Sequence, residues 1–299
     1  MINLKKQKIG VLCGGTSSER EISLMSGKAV YKAIKKLGLK VVLIDVNKNV
    51  AQKLVKEKID VAYITLHGTP GEDGTIQGML ELMGIPYTGC GVFSSSASMD
   101  KIISKKMFEY AKIPTAAWTI IEKNKPFKKI EFPIVVKPAS QGSAIGISIA
   151  KNKKEFEKAV KVAFGFEDRV LVEKYIKGTE ITAGVLNAEA LPVIEIVPKG
   201  KFYDFKSKYI VGQSRHIIPA RLPENVLKEV QKIALKVYDE FRCNGTCRVD
   251  MIVDKNNDIY VLELNTLPGM TQTSLFPDAA KYAGLSFEDL VLEILKSAK

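Results

Sequence analysis

The stretch from Thr246 to Leu275 concentrates the side chains best suited to charge chemistry: Arg248, Asp250, Glu263 and Asn265. Successive side chains on an extended strand alternate between faces, so Arg248, Asp250 and Ile252 share one face, as do Glu263 and Asn265 on the next strand. If Asn256-Asn257 forms a two-residue type I′ loop, Lys255 pairs with Asp258, Asp250 with Glu263 and Arg248 with Asn265. Two carboxylates then stand opposite each other with Cβ atoms about 5 Å apart, which costs stability until something neutralises them. An all-oxygen set of Asp250, Glu263 and Asn265 suits a hard cation such as Mg²⁺, which keeps water and substrate phosphates in its other positions. The competing reading is the polar outer face of an ordinary hairpin. The loop that follows, Thr266-Leu267-Pro268-Gly269-Met270-Thr271, favours the cation site, because a tight Pro-Gly turn offers backbone N–H groups to an anion.

Other residues suggest where phosphates would go. Lys137 closes the apolar strand Phe132–Lys137 and leads into the small-residue loop Pro138–Gly146. One fixed charge beside several backbone donors is a way to cradle phosphate, although a flexible hairpin with a surface lysine would read the same. Glu173 interrupts the apolar run Val170–Ile176, and Glu180 follows shortly after. An acid at a strand end can accept hydrogen bonds from an adenine amino group or ribose hydroxyls; a lone glutamate is more often simply solvated.

The elements that must position these groups divide the chain into three units. Residues 1 to about 95 alternate strand and helix: Ile9–Cys13, Ser23–Leu37, Lys40–Asp45, Val50–Lys56, Val61–Leu66 and Ile76–Met83. That pattern predicts a parallel α/β sheet, whose ligands sit beyond the carboxyl ends of the strands. Two loops leave those ends, Gly14–Glu21 and His67–Gly74. In the first, Ser18 and Glu21 have capping-box spacing, whereas Glu19 between them has no such structural explanation. A second unit, residues 96–179, opens with a helix predicted over Met99–Ala111, with Met99, Ile102, Ile103, Met107 and Tyr110 on one stripe and Lys101 beside it. The third unit, residues 180–299, has strands at Ile181–Asn187 and Leu191–Val197, a polar aromatic loop around Tyr203–Tyr209, a helix from Glu224 to about Phe241, the hairpin, and a helix at Phe287–Lys296. The Gly-x-Gly-x-x-Gly and P-loop fingerprints are absent, so a nucleotide would be held differently.

Composition narrows the classes. With 299 residues, 46% hydrophobic and 26% charged, the chain is an ordinary globular protein of two or three domains. It shows no apolar run near the ~20 residues of a membrane helix and no signal-peptide core, which places it in the cytoplasm without membrane partners. Cys13, Cys90, Cys243 and Cys247 contain no C-x-x-C pair and lie far from His67 and His216, so reduced, mostly buried cysteines are expected rather than zinc or disulfides. The net charge of +12 raises nucleic acid as a rival partner, but the lysines spread over helix faces such as Lys153 to Lys161 instead of forming a basic-aromatic stripe.

Together, Lys137 with its loop, Glu173, Glu180, Lys208 and the Asp250/Glu263/Asn265 set resemble the ATP-grasp superfamily. Gly14–Ser23, His67–Gly74 and Asn265–Thr271 look like three signature stretches of the D-alanine–D-alanine ligases, in order and across essentially the whole chain. The resemblance implies an ATP-grasp fold, with an N-terminal parallel α/β domain, a small central α+β domain and a C-terminal α+β domain. It also implies ATP-dependent synthesis of D-alanyl-D-alanine for peptidoglycan through a D-alanyl phosphate. By the same resemblance Lys101, Lys137 and Lys208 take phosphates and Glu173 and Glu180 take adenine and ribose. Asp250, Glu263 and Asn265 hold two Mg²⁺ ions, which Mn²⁺ can replace. Arg248 and the Gly269 N–H stabilise the oxyanion, Glu19 fixes the first ammonium, His67 lies near the reacting carboxylate, and Ser274 with Leu275 binds the second D-alanine. Glu19, Ser143 and Tyr209 link the N-terminal loop to two mobile loops, and a homodimer is expected. Lys208-Tyr209, a pair that the related D-lactate ligases lack, favours a dipeptide product. Two departures stand out: Ser140-Gln141 in the phosphate loop, and Cys247 before Arg248. A non-catalytic nucleotide sensor on the same fold is disfavoured by Arg248 beside a full metal set.

Overall fold

The structure is a computed structural model and describes residues 3–125, 131–142, 145–199, 214–271 and 273–299. Strands β1 (Lys8–Gly14), β2 (Lys40–Val46) and β3 (Val61–Ile64) form a parallel sheet in the order β2-β1-β3. Helices α1 (Arg20–Lys36), α2 (Val50–Glu57) and α3 (Thr75–Leu82) connect and cover it. Both signature loops leave the carboxyl ends of these strands, as a parallel sheet requires. Helix α1 begins at Arg20 with Glu19 as its N-cap residue and no side-chain cap. The expected Ser18/Glu21 capping box therefore does not form; Ser17 Oγ instead donates to the His67 carbonyl at 2.6 Å and ties the two loops together.

The helix expected over Met99–Ala111 is α5 (Lys101–Tyr110), and a further helix not anticipated from the sequence, α4 (Val92–Met99), precedes it. Asp100 breaks them, its carboxylate accepting from the N–H groups of Ile102 and Ile103. The buried face of α5 comprises Lys101, Ile102, Ser104, Lys105 and Phe108, while Ile103 and Tyr110 are exposed. Of the expected stripe, Ile102 is buried and Met107 packs against the core, so the inner face is rotated towards Lys101 and Lys105 and leaves Ile103 and Tyr110 outside.

An antiparallel sheet follows in the order β4-β7-β5-β6: β4 (Trp118–Glu122), β5 (Ile134–Pro138), β6 (Ser148–Ala150) and β7 (Arg169–Lys174), with α6 (Lys153–Ala163) packed against it. The third sheet runs β11-β10-β8-β12-β13, built from β8 (Gly178–Leu186), β10 (Ile194–Pro198), β11 (Ser214–Ile217), β12 (Thr246–Asp254) and β13 (Ile259–Asn265), with β9 (Glu189–Ala190) added to β8. Helix α7 (Glu224–Glu240) covers one face through Val230, Ala234 and Val237. Helices α8 (Leu275–Tyr282) and α9 (Phe287–Lys296) pack Phe276, Leu290, Val291 and Leu295 into one core with Ile9, Val11, Val30 and Ile34 of the first sheet and α1. Among the described residues no helix is long and apolar enough to cross a membrane.

Candidate active site

The β12–β13 hairpin places Asp250 opposite Glu263 and Arg248 opposite Asn265, as expected, but by another route. Its loop holds three residues, Lys255–Asn257, closed by the Asp254 N–H donating to Asp258 O, with Asn257 at φ +67°. The Asp254 carboxylate supports the turn by accepting from the N–H groups of Asn256 and Asp258. Between the pairs Asp250–Glu263 and Met251–Val261, Leu262 is an extra residue, a bulge. Loop and bulge each shift the register by one, and the shifts cancel.

Asp250 is buried and accepts from Arg248 Nε and Nη2, both at 2.8 Å, and from Thr182 Oγ1 at 2.6 Å. Thr182 faces Asp250 directly across β8–β12, a partner not anticipated from the sequence. Asn265 Oδ1 accepts from the Leu267 N–H at 3.0 Å, which fixes the amide as the chain enters the Pro-Gly loop. There, a methyl group added at Gly269 would lie 2.8 Å from Ser274 Oγ and would displace that hydroxyl. Ser274 Oγ is held by the Thr271 N–H at 3.0 Å and Thr271 Oγ1 at 2.8 Å, at the N-terminus of α8, where the helix dipole favours an anion.

From the other side come the two N-terminal loops. Glu19 is buried; a Cβ placed on Gly68 would sit 3.4 Å from its Oε2, and one on Gly142 3.6 Å away. One carboxylate thus lies close to both signature loops and to the loop that follows β5. His67 is 6% exposed and its Nε2 has no hydrogen-bond partner among the described residues, while Nδ1 lies 3.9 Å from Glu72 Oε1. A buried donor or acceptor left unpaired costs about 1–3 kcal/mol, a cost that a polar ligand in the cleft would remove. Glu72 also accepts from the Gly68 N–H at 2.9 Å, so it shapes the loop that carries His67.

Glu19, His67, Lys101, Arg248, Glu263, Asn265, Gly269, Ser274 and Leu275 line one cleft. Lys101 Nζ donates to the Gln141 carbonyl at 2.6 Å and its backbone N–H to the Ala139 carbonyl, clipping α5 to the loop that follows β5. Lys137 and Glu173 form a second group behind it. Glu173, 2% exposed, is paired through Oε2 with Lys137 and through Oε1 with Lys105. Burial alone would push its carboxyl up, but the two ammonium groups outweigh it and bring the pKa down to about 2. For Lys137, burial pulls down and is outweighed by Glu173, with Glu263 and Glu180 adding to the rise. For Lys105, burial dominates and lowers the pKa, only partly offset by Glu173. Lys105 is not legible in the sequence because a lysine amid other lysines on a helix looks solvated; only its spacing of four from Lys101, which the resemblance assigns to phosphate, puts it on the same helix face. Ser143, Lys208 and Tyr209 lie outside the described residues.

Comparison with known proteins matches these observations. The model "D-ala D-ala ligase C-terminus" covers residues 105–296, and "D-ala D-ala ligase N-terminus" covers 8–55 and 48–90. The chain is 48% identical to the D-alanine–D-alanine ligase of Geotalea uraniireducens, covering 99% of this chain and 96% of that one. It is also 48% identical to that of Carboxydothermus hydrogenoformans, covering 96% and 97% respectively. Among solved structures, the D-alanine–D-alanine ligase of Bacillus anthracis complexed with ATP superposes with a TM-score of 0.86 at 37% identity, covering 97% of each chain. Family models at both ends, full-length relatives and a shared fold agree with the three signature stretches that meet in the cleft. The chain therefore belongs to the D-alanine–D-alanine ligase family, ATP-dependent enzymes that make D-alanyl-D-alanine for peptidoglycan precursors.

Proposed function

We propose that this cleft joins two D-alanine molecules, with each residue in the role its position supports. The observation that carries the reading is convergence: Glu19 and His67 from the first sheet, Lys101 from α5, Glu263 and Asn265 from the hairpin, and Gly269 and Ser274 from the Pro-Gly segment line one cavity. Three units, residues 1–95, 96–179 and 180–299, contribute to it.

In this reading Glu19 binds the ammonium of the first D-alanine, and His67 Nε2 meets its carboxylate. That carboxylate attacks the γ-phosphorus of ATP; the bond to the bridging oxygen breaks, and ADP leaves with the electron pair. Lys101 and Lys137, with Lys208, hold phosphates, and Glu173 and Glu180 hold adenine and ribose. Positioning and charge neutralisation do this work, as in other phosphoryl transfers. Ser274 and Leu275 seat the second D-alanine, whose amine attacks the acyl carbon and expels phosphate. Arg248, oriented by its fork to Asp250, and the Gly269 N–H stabilise the oxyanion formed there.

The donor chemistry is that of a hard divalent cation, two carboxylates and an amide oxygen on adjacent strands; Asp250 is already paired with Arg248, so the cation would share that carboxylate and answer chiefly the charge of Glu263. Asp250, Glu263 and Asn265 would hold Mg²⁺, two ions with Mn²⁺ as substitute. The metal supplies charge neutralisation for the transferring phosphoryl group. The same reading makes the protein a cytoplasmic homodimer that engages neither nucleic acid nor membrane.

The deciding experiment is phosphate release from ATP and Mg²⁺ with D-alanine, L-alanine, D-serine and D-lactate offered separately. D-alanine alone should support turnover, and its failure to do so would overturn the substrate assignment.

A further inference from the structure

The seam between the second and third sheets is closed by a polar arrangement that the proposed chemistry does not use. Strand β13 is the last strand of its sheet, and the segment after α5 lies along it: Pro114 O accepts from the Val261 N–H, and Thr115 Oγ1 donates to the Val261 carbonyl, both at 2.8 Å. Lys105 Nζ reaches this point. It bonds Thr115 Oγ1 and lies 3.4 Å from Val261 O, while its third partner is Glu173 Oε1 on β7.

Lys105 and Lys137 are not equivalent partners of Glu173. Lys137 stands on β5, diagonally across from Glu173 on the same sheet face, at the mouth of the phosphate loop, and is 11% exposed. Lys105 is 1% exposed and is tied on the protein side by Thr115 and Val261. One ammonium can turn towards a phosphate; the other cannot leave. A carboxylate as buried as Glu173 stays charged only while a cation remains beside it.

We propose that Lys105 is a positioning residue for the nucleotide base: the permanent counter-ion that keeps Glu173 charged and aimed when Lys137 engages phosphate. The inference rests on the reading of Glu173 as the adenine partner and extends it to base selection. A charged carboxylate accepts from the exocyclic amino group of a 6-amino purine and repels the carbonyl oxygen of a 6-oxo purine. Without Lys105 the buried acid takes up a proton, gains a donor, and loses that discrimination.

The test is steady-state kinetics of the full chain with ATP and GTP at saturating D-alanine, for wild type, Lys105→Met, Lys105→Arg, Thr115→Val and Glu173→Gln. For Lys105→Met the expected result is a KM for ATP raised about tenfold and an ATP-over-GTP preference in kcat/KM reduced about tenfold, the scale of one charge-assisted hydrogen bond. The KM for D-alanine should stay unchanged, and Lys105→Arg should recover part of the preference. Thr115→Val, which keeps both charges and removes only the anchor, should shift the preference in the same direction by less. It decides the matter if circular dichroism shows Lys105→Met unfolded. An unchanged nucleotide preference in the folded lysine variant, or in Thr115→Val in its place, overturns the proposal; so does a loss spread equally over kcat and both KM values. Glu173→Gln separates the two readings. If it leaves nucleotide preference intact, the adenine assignment fails; if it abolishes preference while the Lys105 variants keep it, only the role of Lys105 fails.

Discussion

Arg248 and Asp250, two residues apart on one face of β12, meet in a two-point ion pair with both contacts at 2.8 Å. Such a fork fixes the guanidinium plane as a lysine cannot. Arg248→Ala leaves Asp250 buried with Thr182 and no guanidinium partner, and should cost about 3–5 kcal/mol of stability, the usual penalty for breaking a buried pair. Turnover should fall by about 10²–10³. Arg248→Lys should restore much of the melting temperature but little of the turnover. Recovery of both together, followed by thermal melts and phosphate release, would show that the fork is dispensable.

Glu263 lines the cleft and opposes Asp250 across the hairpin. Glu263→Gln is expected to keep the circular dichroism spectrum and lose most turnover, because it removes charge from the proposed metal set without changing shape. Near-normal phosphate release at saturating Mg²⁺ would remove Glu263 from the metal assignment.

Gly68 combines φ +62° with a Cβ position 3.0 Å from Ser17 Cβ. Gly68→Ala should destabilise by about 1–3 kcal/mol and raise the KM of the first D-alanine, because Ser17 and His67 are bonded through this turn. Gly38→Ala provides the control: it has φ +73° but nothing within 4 Å of the added carbon. It should show backbone strain in the melt and no change in KM.

The Glu173 carboxyl, at about 2, lies below its ordinary 4.5. A depressed carboxylate contributes stability that is fully present above its unfolded pKa and is lost as pH falls through the folded value. The wild-type melting temperature should therefore drop between about pH 4.5 and 2. Glu173→Gln should start lower at neutral pH, with Lys105 left without its carboxylate, and show a flatter profile through that window. Equal slopes would mean that other carboxylates dominate acid unfolding.

All four cysteines are free and buried. Burial and the neighbouring Asp45 push Cys13 up to about 11; hydrogen bonds among the thiols, together with burial, hold Cys90 and Cys243 high, and burial raises Cys247. Since the thiolate is the reactive form, native protein at pH 8 should react negligibly with a thiol-specific disulfide reagent, and denatured protein should release four equivalents. A rapid phase in the native protein would contradict this burial.

What the sequence made legible follows a physical division. Strands and helices of the first unit were readable from period and glycine punctuation, with ends off by a few residues, as in β1, which runs Lys8–Gly14 rather than Ile9–Cys13. Alternation made legible which polar residues of each hairpin strand share a face; the opposed pairs were read from an assumed two-residue loop and hold because the three-residue loop and the Leu262 bulge offset each other. Two residues escaped for different reasons. Thr182 matters only through cross-strand register, which a single strand does not reveal. Lys105 was hidden because burial of a charge depends on a partner, Glu173, far away in sequence. The same blindness rotated α5: apolarity picked out Ile102 and Met107, while the burial of Lys101, Ser104 and Lys105 rests on partners in other elements.

The core shared by β1, α1, α8 and α9 bears on how the chain is born. Domains usually fold in the order the ribosome delivers them. Here Ile9, Val11, Val30 and Ile34 emerge early, yet Phe276, Leu290, Val291 and Leu295, which cover them, leave the ribosome only after everything from α2 to the Pro-Gly loop has been made. Helix α1 covers the first sheet early, but the apolar side on which α9 packs must stay uncovered for nearly the whole of translation. Its closure then coincides with assembly of the cleft, so a product interrupted before α8 would be sticky as well as inactive, marked for chaperones or proteases by the face that completion would have hidden.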